Sequence, residues 1–168
     1  MNPCNIDHAK TFLLNEDCTD WDMKRFRSDK LRYYNLYKTE KAKADYVNFN
    51  ISKYQRSLYA QFRCGILPLE IEVGRYRNLD LSDRLCKLCD KNLVEDEIHF
   101  LIDCPVYSVE RKILFAEKHM QNSTFSRLES LDKFVYFMSN HERAVITFIS
   151  NAFRKRQDTL SYMPTPVI

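Results

Sequence analysis

A chain of 168 residues that is 45% hydrophobic and 13% aromatic can bury a core, which excludes a disordered segment and fits one domain or two small subdomains. The net charge of +3 is unevenly spread: residues 1–21 sum to −3, residues 22–63 to +7 and residues 64–168 to −1. Two glycines leave no glycine-rich phosphate loop, and the longest apolar runs, such as Ala144 to Ile149, are too short to cross a bilayer.

Residues 1–18 read as an N-terminal arm with no basic stretch followed by an apolar one, so no secretory leader is expected. Thr19 or Asp20 can then cap a helix running to about Lys43, with Trp21, Phe26, Tyr33 and Tyr37 as apolar points. Lys24, Arg25, Arg27, Lys30, Arg32 and Lys38 surround them. Aromatics among basic residues suit base stacking and phosphate contact, and they equally suit a buried aromatic stripe with a charged outer face. Asn50 or Ser52 can cap a second helix, where Tyr54, Leu58 and Phe62 recur every four residues and Lys53, Arg56 and Arg63 form the exposed side. Gly65 stops that helix. Leu69, Ile71 and Val73 alternate with Glu70 and Glu72, which predicts a short, half-exposed strand ended by Gly74. Residues 19–80 thus read as a basic helical region with a short strand.

The next stretch, 81–105, carries the densest chemical signal. Cys86-x-x-Cys89 is followed after nine residues by His99 and after four more by Cys104. Three thiolates and an imidazole at that spacing can close a tetrahedron around one Zn²⁺. Such a set fills every coordination position from the protein, whereas a catalytic zinc keeps one open for water or substrate. A structural zinc knuckle is therefore expected. An iron–sulfur cluster would want a fourth thiolate, and only Cys4, Cys18 and Cys64 remain. That odd remainder argues against a disulfide framework and for a reducing compartment, nucleus or cytoplasm. Glu95, Asp96 and Glu97 suit the first turn of a helix, on which Ile98, Leu101 and Ile102 face inward and His99 faces the metal. Pro105 breaks that segment and turns Cys104 toward the site. His8, His119 and His141 have no partner at ligand spacing.

Residues 106–158 read as C-terminal helices. The first, to about Met120, places Val106, Val109, Ile113 and either Leu114 or Ala116 inward, and Asn122 and Ser123 end it. Ser126-x-x-Glu129 offers a capping box for the next, with Leu128, Leu131, Phe134, Val135 and Met138 as core residues. After Asn140 a last helix carries Ala144, Val145, Phe148, Ile149, Ala152 and Phe153 at three- and four-residue steps, and Arg154-Lys155-Arg156 closes it by complementing the helix dipole. Residues 159–168 read as a tail. The fold class expected is mainly α: a bundle-like helical array interrupted by a short β segment and a Cys3His zinc knuckle.

Several of these stretches together resemble a known family. Arg56-Ser-Leu-Tyr-Ala-Gln-Phe-Arg63-Cys-Gly65-Ile-Leu-Pro68-Leu, then Glu72-Val-Gly74-Arg75-Tyr76, then Arg84-Leu-Cys86-Lys-Leu-Cys89, then Val94-Glu-Asp-Glu-Ile-His99-Phe-Leu-Ile-Asp-Cys104-Pro-Val-Tyr107 resembles the zinc-binding region that follows the reverse transcriptase domain of animal non-LTR retrotransposons. The likeness covers Ser52 to Leu114. It implies Cys86, Cys89, His99 and Cys104 as zinc ligands, RNA or DNA held through phosphates, and Arg75, Arg77, Arg84 and Lys87 as nearby phosphate contacts. It also implies a polymerase domain of a parent polyprotein as a neighbour. The polymerase chemistry itself is not expected in this chain. No adjacent aspartate pair is present to hold divalent ions, and no Gly-x-Ser-x-Gly turn or acidic and histidine constellation supplies another reaction. The expected function is a zinc-stabilised, non-catalytic nucleic-acid-binding module. A zinc-stabilised protein-interaction scaffold, or an inactive remnant of a mobile element, is the alternative from a different class.

Overall fold

The computed structural model describes residues 19–119 and 125–162. Its helices are α1 (residues 19–26), α2 (Tyr34–Tyr37), α3 (Lys53–Arg63), α4 (Glu70–Tyr76), α5 (Ser108–His119), α6 (Ser130–Asn140) and α7 (Glu142–Tyr162). The N-terminal arm, the break at Asn122 and Ser123, and residues 163–168 lie outside the described residues.

The caps of α3 follow from its sequence. The Ser52 hydroxyl accepts the Gln55 N–H at 3.2 Å, and the Gln55 side chain accepts the Ser52 N–H at 3.1 Å, a reciprocal box that starts the helix. At its end Gly65 takes φ +63°, and the N–H groups of Gly65 and Ile66 return to the carbonyls of Phe62 and Gln61. A Cβ on Gly65 would lie 2.0 Å from the Lys30 carbonyl oxygen. Gly65→Ala is therefore expected to cost at least about 2 kcal/mol, the sum of a left-handed backbone and a forced shift of residue 30, read from urea unfolding.

The single helix expected from Thr19 to Lys43 is not formed. Helix α1 stops at residue 26, Ser28 is extended, a 3-10 turn Asp29–Leu31 leads into the short α2, and residues 38–44 are not helical. Tertiary contacts override the local pattern. The chain folds back so that Arg25 donates to the Lys38 carbonyl and Asn35 donates to the Arg25 carbonyl, which aims Tyr33 and Tyr37 at Phe134 with ring centroids 5.5 and 6.2 Å away.

The predicted strand at 69–73 is a helix, α4. A run this short fits either period, and the alternation misleads because Glu70 and Glu72 are as buried as Ile71. Distant groups supply the helix start: the Glu95 carboxylate accepts the Glu70 N–H at 2.8 Å and the Glu95 carbonyl accepts the Ile71 N–H at 3.1 Å. The only β pairing among the described residues is an isolated antiparallel bridge between Leu85 and Val94.

Helix α7 is the central member and packs against α3, α5 and α6. Val145, Phe148, Ile149, Ala152 and Phe153 are all buried on it, as their spacing predicts. The helix does not end with the basic triplet. It continues to Tyr162 through the start of the expected tail, and Arg156 lies inside the core face.

Two other faces differ from expectation. On α5, Arg111 and Leu114 point inward while Val109 and Ile113 are 62% and 71% exposed, because the Arg111 guanidinium turns in to donate to the Leu101 and Phe100 carbonyls at 2.8 and 3.4 Å. Ahead of α6 the Ser126 box does not form. Glu129 precedes the helix without a side-chain cap, Ser130 Oγ donates to Asp103 at 2.6 Å, and Phe134, Phe137 and Met138 are buried while Leu131 is exposed.

Buried apolar residues from Leu58 to Phe153 form one cluster that includes Cys86, Phe100, Leu101, Ile102 and Cys104 of the knuckle. Phe100 stands at its centre, with ring centroids 6.0 Å from Phe62, 4.9 Å from Tyr107 and 5.8 Å from Phe148.

Candidate metal centre

The first ligand pair sits on a loop clamped at its neck. Around the Leu85–Val94 bridge, the Cys86 N–H donates to the Leu93 carbonyl at 2.9 Å and the Glu95 N–H donates to the Arg84 carbonyl at 3.0 Å. Asn92 turns the loop with φ 52°, a left-handed conformation asparagine tolerates. Arg84 fastens the clamp to α4: its guanidinium donates to the Ile71 carbonyl and twice to the Leu79 carbonyl, and its stem lies against Gly74, where a Cβ would come within 2.5 Å.

The second pair comes from an unusual helical turn. Asp96 accepts the His99 N–H at 2.8 Å and so caps the segment as an acidic helix start should. The coil then widens to a π turn, His99–Asp103, in which the Cys104 N–H donates to the His99 carbonyl at 2.7 Å. Residues five apart diverge on an α-helix, and the wider turn brings His99 and Cys104 to one side.

The four ligand atoms converge. All lie within 4.8 Å of one another, with Cys86 Sγ 4.0 Å from Cys104 Sγ and Cys89 Sγ 3.4 Å from His99 Nε2. Sulfurs bound to one ion at about 2.3 Å in a tetrahedron stand about 3.8 Å apart, so the cluster has the span a metal needs. His99 presents Nε2 to the cluster, and its Nδ1 is buried with no protein partner. The thiols are coupled as closely packed sulfurs must be. The contact between the two sulfurs and burial push the Cys86 thiol up to about 12, while the same contact lowers the pKa of Cys104. Burial also raises Cys89. Cys86, Cys89, His99 and Cys104 can hold a metal ion.

Comparison with family models, curated proteins and solved structures returns no match.

Each acid of the Glu95-Asp96-Glu97 run reaches a different part of the molecule. Glu95 receives Arg156 of α7 through two hydrogen bonds, 2.8 and 2.7 Å, in a buried pair. Asp96 also accepts the Tyr33 hydroxyl at 2.5 Å. Glu97 receives Arg32 at 3.0 and 2.9 Å, and burial pushes its carboxyl up while Arg32 opposes the shift. The run was legible as a helix start, and its role as a three-way anchor was not. The signal for Arg156 lay in its step from Ala152 and Phe153, which places it on the apolar face of α7.

The basic residues divide by exposure. Arg25 and Arg63 are each only 7% exposed, against the expectation that Arg63 lies on the outer side of α3. Arg25 pairs with Asp22 at 2.8 Å and covers the Trp21 ring at 4.4 Å. Arg63 pairs with Glu142 at 3.0 Å and lies 5.1 to 5.7 Å from the rings of Tyr34, Tyr37, Tyr46 and Tyr59, so its charge serves the fold. The expected aromatic stripe divides: Trp21, Tyr33 and Tyr37 are half-buried, while Phe26 is 67% exposed. Arg32 is held by Glu97, and half-buried Arg56 donates to the Phe49 carbonyl at 3.0 Å. Arg84 serves the clamp. Cys64, beside Arg63, has its thiol pushed up because burial outweighs that guanidinium.

The remaining cations face water. Lys24 pairs with Asp20 at 2.7 Å on an exposed surface, and Arg27 is exposed. Near the knuckle, Arg77 and Lys87 approach the buried Glu70 carboxylate at 3.8 and 2.9 Å, and Arg75 and Lys30 approach the buried Glu72 carboxylate at 2.7 and 3.6 Å, all four with their stems at least partly in solvent. Arg75 holds Glu72 below the usual carboxylate range. Among the described residues no helix is long and apolar enough to cross a membrane.

Proposed function

We propose that this chain is a zinc-stapled, non-catalytic module that binds RNA or DNA through phosphates, as the region following a retrotransposon polymerase would. The observation that supports it is a converging Cys3His cluster with half-exposed cations beside it. Three soft thiolates and an imidazole at tetrahedral span favour Zn²⁺ over harder divalent ions, and the ion would leave no position for substrate. Zinc would fix the loop to the π turn, and both to the core through Phe100. In a longer polyprotein the module would follow a polymerase domain. A reducing compartment, nucleus or cytoplasm, would keep the ligand thiols available.

Arg75, Arg77, Lys87 and Lys30 then form the phosphate-contacting set, in place of Arg25, Arg32 and Arg63, whose charges serve the fold. With about four phosphates neutralised, log affinity should fall against log salt with a slope of about −3 to −4. Neutralising Arg77 and Lys87 as R77Q and K87Q together is expected to reduce that slope by about 2 with metal content unchanged, measured by titration of labelled nucleic acid at several salt concentrations. Salt-independent or absent binding would move the assignment to a protein-interaction scaffold. The outward Val109 and Ile113 favour that second reading.

A further inference from the structure

We infer that the outer end of α4 receives an unpaired nucleic-acid strand, with Tyr76 as a stacking platform for a base and Arg75, Arg77 and Lys87 on the flanking phosphates; this deepens the nucleic-acid reading above and rests on it. Tyr76 is the last residue of α4 and is 70% exposed, an unusual place for a large ring with no core role. The Arg75 guanidinium lies 4.5 Å from its centroid, so one face of the ring is backed by a cation.

The backbone beneath the ring is tied down. Asn78 turns with φ 55°, its N–H donating to the Arg75 carbonyl at 3.2 Å and the Leu79 N–H donating to the Gly74 carbonyl at 3.0 Å. Arg84 then holds the Leu79 carbonyl from the knuckle side at 2.9 and 3.1 Å, so the ring's backbone is tied to the metal loop. A ring carried on an anchored backbone needs no main-chain ordering when a base stacks on it.

Charge completes the site. Glu70 is approached by Arg77, Lys87 and also Arg156 at 3.6 Å, while Glu72 is approached by Arg75 and Lys30. The Glu70 and Glu72 carboxylates are buried, whereas the side chains of Arg75, Arg77, Lys87 and Lys30 are 40% to 55% exposed, so the cations rather than the acids are presented to a polyanion and the two carboxylates keep them together. Paired bases in a duplex offer only their edges, so a stacking ring selects a strand whose base faces are open. Neither contact touches the 2′ position of the sugar, so RNA and DNA strands should bind alike.

The test uses the full metal-loaded chain and fluorescence anisotropy with labelled oligo(rU) and oligo(dU) of about 12 nucleotides and a blunt duplex of equal length. The two strands are expected to bind within about threefold of each other and at least about fivefold tighter than the duplex, with Tyr76→Ala weakening strand binding by about tenfold and Tyr76→Trp restoring it. Duplex affinity and metal content should be the same in all three proteins. Unchanged strand affinity in Tyr76→Ala, a preference for the duplex, or a strong sugar preference overturns the strand platform while phosphate binding survives. Failure of every probe to bind removes the nucleic-acid reading as well.

Discussion

His99→Ala and Cys104→Ser are each expected to abolish stoichiometric metal binding and to unfold much more than the knuckle. A structural zinc contributes on the order of 10 kcal/mol in small domains, comparable to the entire stability of a chain this size. Here the ligands are not peripheral. Cys86 and Cys104 belong to the buried cluster, and His99 adjoins Phe100 at its centre. Elemental analysis of the purified variants should show loss of the ion, and thermal unfolding should show either a large drop in midpoint or no cooperative transition. Wild-type protein stripped by a chelator should behave in the same way and recover on addition of Zn²⁺. Full stability in a variant or a stripped sample would refute the stapling role of the metal.

The second large effect is expected at Arg156. Arg156→Met removes the guanidinium but keeps most of the stem volume, leaving Glu95 buried without its charged partner. Truncating one member of a buried ion pair typically costs about 3–5 kcal/mol, much of it the penalty of the abandoned charge. The double variant Glu95→Gln/Arg156→Met removes that charge and retains an amide oxygen to accept the Glu70 N–H. It should therefore recover at least about 2 kcal/mol of the loss in urea unfolding. Equal losses in the single and double variants would show that packing, rather than the stranded carboxylate, sets the cost.

What could be read from the sequence was what local chemistry decides. Ser52 and Gln55 cap α3 by reaching three residues along the chain, Gly65 ends it because only glycine fits there without strain, and the apolar steps of α7 identify its buried face. The clustering of Cys86, Cys89, His99 and Cys104 was legible for the same reason, since their spacing is a local constraint. What depended on distant partners was not. Glu70 and Glu72 alternate as if on a strand, and Glu95, Lys30 and Lys87, supplied from elsewhere, help make α4 a helix with both acids inside. Arg25 and Arg63 look like surface charges until Asp22, Glu142 and the tyrosine rings enclose them. The π turn left no periodic trace, because it widens a helix by a single hydrogen-bond step.

Three successive acids, Glu95, Asp96 and Glu97, couple the turn that carries His99 to residues 32 and 33 earlier in the sequence and to Arg156 later in it. With an ion in place the knuckle would be a keystone rather than an appended finger, since its neighbours on either flank lean on carboxylates beside the ligands. Withdrawal of the ion would propagate outward to Tyr33 and Arg32 in one direction and to Arg156 in the other. Metal supply would thereby become a condition for the whole architecture, including the surface that would meet a polyanion.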